Sequence, residues 1–172
     1  MNWGRKLWLV GALLMVWVGV AFAQAPGGSE AAMTQTAAKV QPVKVEITAE
    51  ELKGLPRKTV TVHNPHANAD ETYEGVVLAD LLGKRGVPLG AALRGAAIGC
   101  YVVATGSDGY KAVYSLAEVD PSFHPGDVIV ADTMDGKPLD AHSGPFRLVA
   151  TEDKRPARGV RNLVSVEVKA AE

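Results

Sequence analysis

Short runs of alternating or continuous apolar residues recur along the chain and predict β-strands. Two glycine-bearing segments between them, GSDG at 106–109 and MDGK at 134–137, have the composition of tight turns. The first turn predicts a β-hairpin, because a strand pattern stands directly on each side of it. The predicted strands cover residues 43–47, 58–63, 98–105, 110–115, 127–132, 145–150 and 163–168.

Two Thr/Ser-x-x-Glu motifs predict helix starts, since this motif satisfies free backbone N–H groups at a helix N-terminus. Thr48 and Glu51 form the first motif, and Gly54 follows where a short helix can end. Ser115 and Glu118 form the second.

A longer helix is predicted within residues 73–86, after a predicted loop at 64–72. Its apolar positions share one helical face, and Gly86 marks its end. Those positions are Val77, Leu78, Leu81 and Leu82. Short strands interspersed with short helices predict an α+β fold with a mixed sheet.

The first 23 residues have the composition of a secretory signal peptide. Arg5 and Lys6 precede an uncharged apolar run at 7–20, which is shorter than the roughly 20 residues that span a bilayer. The Ala-Phe-Ala ending predicts cleavage after Ala23 and a periplasmic or secreted protein; an uncleaved N-terminal anchor is the alternative. Contact with a membrane is expected only through this segment. The predicted divisions are the signal peptide (1–23), a flexible tether (24–41) and one domain (42–172).

The net charge of the chain indicates which class of partner to expect. Cleavage after Ala23 would remove two of the 18 basic residues and none of the 19 acidic ones, leaving 16 against 19 and a net charge of −3. A nucleic-acid binder would be basic, so nucleic acid is not expected as a partner.

Cys100 is the only cysteine, so an exported form cannot close an internal disulfide. In the predicted strand it shares its parity with Ile98, Val102 and Ala104, which predicts a thiol buried among apolar side chains. The alternative role, a nucleophile, requires a neighbouring base, and no histidine or second cysteine stands beside Cys100 in the sequence.

Four segments carry a family resemblance through their order and spacing. They are YEGVVLADLLGKRGVPL, GSDGYKAVYSLAEVDP, GDVIVADTMDGKPL and GPFRLVATEDKRPARGVRNLVSVEV. Together they resemble the sulfite-oxidase-like family of oxidoreductase molybdopterin-binding domains, in its short stand-alone form. The resemblance implies that family's α+β fold and molybdopterin as a cofactor. Catalytic members of the family hold molybdenum through a pyranopterin dithiolene and one cysteine thiolate.

The resemblance breaks at the metal ligand. The family's cysteine lies in a Cys-x-x-Asn pattern, and the matching stretch here, TVTVHNPH, has Thr61 in place of the cysteine and Asn64 in place of the asparagine. A threonine hydroxyl stays protonated at neutral pH and is harder than the thiolate that suits this metal. The N-terminus also lacks the paired arginines of the signal that exports folded, cofactor-loaded proteins. We therefore expect no bound cofactor, with molybdopterin as the alternative that the family implies.

A basic segment near the C-terminus is the main candidate binding site. Its basic residues are Lys154, Arg155, Arg158 and Arg161. The family's matching stretch lies beside the pterin and its phosphate, so the resemblance implies that Arg158 and Arg161, with Asn64, are cofactor-binding positions. Guanidinium groups suit phosphate or sulfate because their donors are paired and planar. The alternative is a solvated basic turn balanced by acidic neighbours.

Two further candidates carry less specific patterns. His63 and His66 have a His-x-x-His spacing, with Asp70 and Glu71 close behind, which suits zinc or copper; an exposed polar loop is the alternative. Tyr110 is either a phenol at the rim of a pocket or an ordinary strand residue.

Taken together, these patterns predict a non-catalytic periplasmic binding module. Its remnant pocket near Asn64, Arg158 and Arg161 would take an anionic small molecule or a partner protein. A molybdopterin-dependent oxidoreductase is the first alternative, and a metal-binding protein that uses His63 and His66 is the second.

Overall fold

The computed structural model describes residues 41–171. The predicted signal peptide (1–23) and residues 24–40 of the predicted tether lie outside the described residues. None of the helices between residues 41 and 171 is long and apolar enough to cross a membrane.

Strands dominate the described part of the chain. They are β1 (Val43–Glu46), β2 (Arg57–Asn64), β3 (Ala69–Val77), β4 (Cys100–Gly106), β5 (Lys111–Ser115), β6 (Val128–Met134), β7 (Lys137–Pro138), β8 (Arg147–Ala150) and β9 (Leu163–Ala170). The α-helices are α1 (Ala49–Leu52), α2 (Leu78–Lys84) and α3 (Leu116–Val119). Short 3₁₀ helices cover Gly90–Ala92, Gly95–Gly99 and Pro156–Arg158.

The strands form two sheets. The first has the order β1-β9-β4-β5. In the second, β2 pairs with β3 and β3 with β6, while β7 and β8 both pair with β6. Every strand pair among the described residues is antiparallel. Short helices combined with these sheets confirm the predicted α+β fold.

Two apolar clusters hold the sheets. The larger cluster combines side chains of the first sheet, α2 and the second sheet, and Val102, Leu81 and Val130 are completely buried in it. The alternation of buried and half-buried residues along β4 follows from the two-residue period of a strand. A smaller cluster around Tyr73 and Ile129 lies in the second sheet.

The predicted loop at 64–72 is too long, and the helix predicted within residues 73–86 occupies only part of that range. The chain turns at residues 65–68 and returns as β3, whose residues pair with β2 from Arg57 opposite Val76 to Asn64 opposite Ala69. Asn64 makes the turn, because its side-chain oxygen accepts the backbone N–H groups of His66 and Ala67. The helix begins only at Leu78.

The elements predicted from local turn and capping motifs agree with the structure more closely than those predicted from apolar patterns alone. The β4–β5 hairpin is confirmed, with the Gly106 N–H donating to the Tyr110 carbonyl at 2.9 Å. The Ser115/Glu118 capping box is confirmed in both of its hydrogen bonds. The predicted strand at 98–105 started too early, since Ile98 lies in a 3₁₀ helix and is 46% exposed.

Candidate functional site

A small cleft lies between the β2–β3 hairpin and the segment that follows β8. Its walls come from the ends of β2 and β3, from β8 and from residues 153–159. The cleft has a volume of about 30 Å³, which is space for about two water molecules.

The end of β2 contributes three consecutive residues to this cleft. Val62 and Asn64 share one face of β2 and line the cleft, as Glu71 and Tyr73 of β3 do, and His63 between Val62 and Asn64 also lines it. Thr61 lies on the opposite, exposed face, where its hydroxyl is 3.2 Å from that of Thr72. The residue matched to the family's cysteine therefore points away from the cleft that Asn64 lines.

A chain of hydrogen bonds crosses the floor of the cleft. The Asn64 amide donates to Glu71 Oε1 at 2.7 Å, and the Tyr73 hydroxyl donates to Glu71 Oε2 at 2.7 Å. Arg147 Nη1 donates to the Tyr73 hydroxyl oxygen at 2.7 Å. Burial, together with the hydrogen bond to Glu71, raises the pKa of Tyr73 to about 12, so the phenol stays protonated at neutral pH.

Arg147 is the cation of this cleft, and the sequence analysis missed it. Its guanidinium carbon lies 5.1 Å from the centre of the Tyr73 ring. Its Nε is buried and has no hydrogen-bond partner among the described residues, where only Nη1 of the group is bonded. The edge formed by Nε and Nη2 therefore has no acceptor among the described residues. In the sequence, the one indication of a special role for Arg147 is that a charged residue stands within the otherwise apolar pattern PFRLVA.

Arg158, by contrast, is already fully engaged with carboxylates. Its Nε and Nη2 donate to the two oxygens of Asp153 at 3.1 and 2.5 Å, and its Nη1 donates to Glu118 at 2.9 Å. The guanidinium also lies over the ring of Tyr114, 4.5 Å from its centre. These bonds, above all that to Asp153, raise the pKa of Arg158. Arg158 fixes the segment beside the cleft and does not line it.

Arg161 occupies a third environment. It is exposed, and its Nη1 lies 2.7 Å from Nε2 of His142. Asn64 therefore lines the cleft, whereas neither Arg158 nor Arg161 does, and the three residues do not form one contiguous binding surface there.

The histidine pair does not assemble a ligand set. His63 Nδ1 lies 2.9 Å from Asp70 Oδ1 across the hairpin, and His66 follows in the exposed turn. Residues 41–171 contain no group of three or more His, Cys, Asp or Glu side chains placed to hold a metal ion.

The other two sequence candidates lie outside the cleft. Tyr110 is 47% exposed and its hydroxyl donates to the Ala157 carbonyl. Cys100 is only 1% exposed, and its Sγ approaches the Ala96 carbonyl at 3.9 Å. Burial raises the pKa of the Cys100 thiol, as an inert core cysteine requires. The predicted apolar environment of Cys100 is confirmed.

Comparison with known proteins gives the chain its family. A sequence model of the oxidoreductase molybdopterin-binding domain matches residues 37–172. The chain belongs to this family. Membership in the molybdopterin-binding family confirms the resemblance that its four segments predicted. A comparison with curated proteins gave no significant match.

Molybdopterin, which the family name implies, does not fit the cleft described here. Pockets for ligands of that size usually enclose about 300–1,000 Å³, whereas this cleft encloses about 30 Å³. No cysteine or methionine is among the residues that line it. Cys100, the only thiol of the chain, is buried in the first sheet.

Proposed function

We propose that this chain is an exported, non-catalytic member of the molybdopterin-binding family, and that it binds the anionic group of a small molecule at Arg147. The observation that carries the proposal is the buried Nε of Arg147, which has no acceptor among residues 41–171. A buried guanidinium N–H without an acceptor is costly, so an anion that accepts from Nε would stabilise the protein.

Three contacts support Arg147 as the binding residue. Tyr73 holds Nη1, so the opposite edge of the guanidinium keeps its direction. The two oxygens of Glu71 already accept hydrogen bonds, one from Asn64 and the other from Tyr73. Glu71 is therefore a weaker competitor of an external anion for Nε and Nη2 of Arg147. With space for about two waters, the cleft admits a terminal carboxylate or similar group and leaves the rest of the ligand outside.

Anion-dependent stabilisation tests the proposal. Acetate, sulfate and inorganic phosphate are compared with chloride at matched ionic strength, because screening alone also shifts stability. A bound anion adds RT ln(1 + [L]/Kd) to the free energy of unfolding, about 2.7 kcal/mol when its concentration is 100 times Kd. We expect the melting temperature to rise with at least one oxyanion and not with chloride.

Variants separate this site from the arginines of the basic segment. Arg147→Gln removes the cationic edge and should abolish the rise. Arg147→Lys keeps the charge, loses the paired donors and should retain only part of it. Arg155→Gln, at an exposed position of the basic segment that follows β8, is the matched control and should keep the full rise. If Arg161→Gln abolishes the response and Arg147→Gln does not, the proposed site is wrong.

The main alternative is a molybdopterin-dependent oxidoreductase, and family membership favours it. Metal analysis of protein purified from the periplasm distinguishes the two functions. We expect molybdenum far below one atom per chain, because the position matched to the ligand cysteine is Thr61. A value near one molybdenum per chain would contradict the non-catalytic proposal. A partner protein whose acidic side chain occupies the cleft would show itself as a stabilisation by that protein and by none of the free anions.

A further inference from the structure

From the free edge of β5 we infer that two copies of this chain pair edge to edge through this strand and form one continuous sheet. β5 is the last strand of the first sheet. The hairpin bond from Gly106 to Tyr110 sets the alternation, so Ala112 and Tyr114 bond towards β4 and Lys111 and Val113 face outward. The outward backbone groups of Lys111 and Val113 have no partner among the described residues.

Other sheet edges carry features that discourage pairing with a second chain. β1 follows Pro42 and exposes the ion pair of Lys44 with Glu46. β2 follows Pro56 and begins with two charged residues, and β7 ends in Pro138. The sequence of β5, KAVYS, contains no proline and one charge. Of these four edge strands, β5 alone has no proline in it or directly before it.

The side chains of β5 are self-complementary about a two-fold axis at Val113. This axis sets Val113 opposite its copy and Lys111 opposite Ser115 of the other copy. Val113 is 52% exposed and has Val103 as its cross-strand neighbour. Pairing would therefore bring these two valines of one copy beside the same two valines of the other. An axis at Lys111 would instead oppose two lysines, which is unfavourable.

The capping box sets how far the pairing can extend. The Ser115 N–H donates to the carboxylate of Glu118 at 2.8 Å, and Glu118 is itself paired with Arg158 at 2.9 Å. The Ser115 end of β5 is therefore occupied, and the pairing rests on the two backbone hydrogen bonds between the valines and on the contact between their side chains.

Sedimentation equilibrium over a wide concentration range tests the pairing. We expect the mass to move from one chain to two as concentration rises. Val113→Lys opposes two lysines and should raise the dissociation constant by about tenfold or more. Val164→Lys is the matched control, since Val164 is 39% exposed but lies on the interior strand β9, and it should leave the association unchanged. A monomer at every concentration, or unchanged association in Val113→Lys, overturns the inference.

Cross-linking checks the register independently of affinity. Directly opposite residues in a hydrogen-bonded pair have Cα atoms about 5.5 Å apart, within the span of a disulfide. Mild oxidation should therefore link Val113→Cys into a covalent dimer, while Lys111→Cys, which faces Ser115, should not link. The buried Cys100 does not compete. Equal linking of both variants, or of neither, contradicts the proposed axis.

Discussion

Replacing Asp120 with alanine should lower the free energy of unfolding by about 2–4 kcal/mol. The residue is 1% exposed, and its carboxylate accepts the backbone N–H of Gly90 and, at 2.8 Å, that of Ser122. Hydrogen bonds to a charged group contribute about 1.5–3 kcal/mol each. Ser122 is exposed, so water can replace its bond, and the expected loss is closer to one full bond than to two.

The same carboxylate should make stability depend on pH. Burial pulls the pKa of Asp120 upward, but the hydrogen bonds from Gly90 and Ser122 outweigh it, and the net pKa lies below the ordinary value of 3.8. A carboxylate with a lowered pKa stabilises the fold fully above its unfolded pKa and loses that contribution as pH falls through the folded value. The difference between the wild type and Asp120→Ala should therefore shrink below about pH 3.8.

Urea denaturation at neutral and acidic pH measures both effects. Asp80→Ala is the control, since Asp80 is exposed on α2 and has no ion pair among residues 41–171, and its effect should stay within about 0.5 kcal/mol. If Asp120→Ala is as mild as this control at neutral pH, then the carboxylate does not fix the loop at Gly90, and the reasoning fails.

Two other positions have defined consequences. A bulky maleimide should label Cys100 only after denaturation, and Cys100→Ser should cost about 1–3 kcal/mol because the buried hydroxyl gains no close acceptor; rapid labelling of the native protein would contradict its burial. Gly75→Ala should destabilise the protein by more than about 2 kcal/mol, because the added Cβ would lie 2.1 Å from the Val130 carbonyl oxygen. Gly83→Ala, where the nearest atom is 4.0 Å away, should have little effect on the urea midpoint.

The elements that were predictable from sequence are those specified by nearby residues. Gly109, with φ of +80°, closes the β4–β5 turn by itself, and Ser115 caps α3 with a residue three positions away. β3 was missed although Tyr73 and Val76 favour strands, because the helical spacing of Val77, Leu78, Leu81 and Leu82 was extended back over them. Pairing with β2 and β6 makes this segment a strand, and a local sequence pattern carries no information about that pairing.

The same limit applies to the candidate site. Arg158 was a reasonable anion-binding candidate until its partner Glu118, 40 positions away, was placed beside it. Arg147 attracted no notice because its partner, Tyr73, is 74 positions away. Sequence spacing identified the basic segment, but only the fold shows which guanidinium already has its counter-ions.

The bonds of Arg158 restrict how this surface can diverge between relatives. Losing the guanidinium alone would leave Asp153 and Glu118 as two close carboxylates without their shared cation, which is costly in a partly buried setting. A substitution of Arg158 should therefore be preceded by the replacement of Asp153 or Glu118 with a neutral residue. Among descendants of this sequence, the three positions are expected to covary, and a lineage without the arginine should also have lost at least one carboxylate.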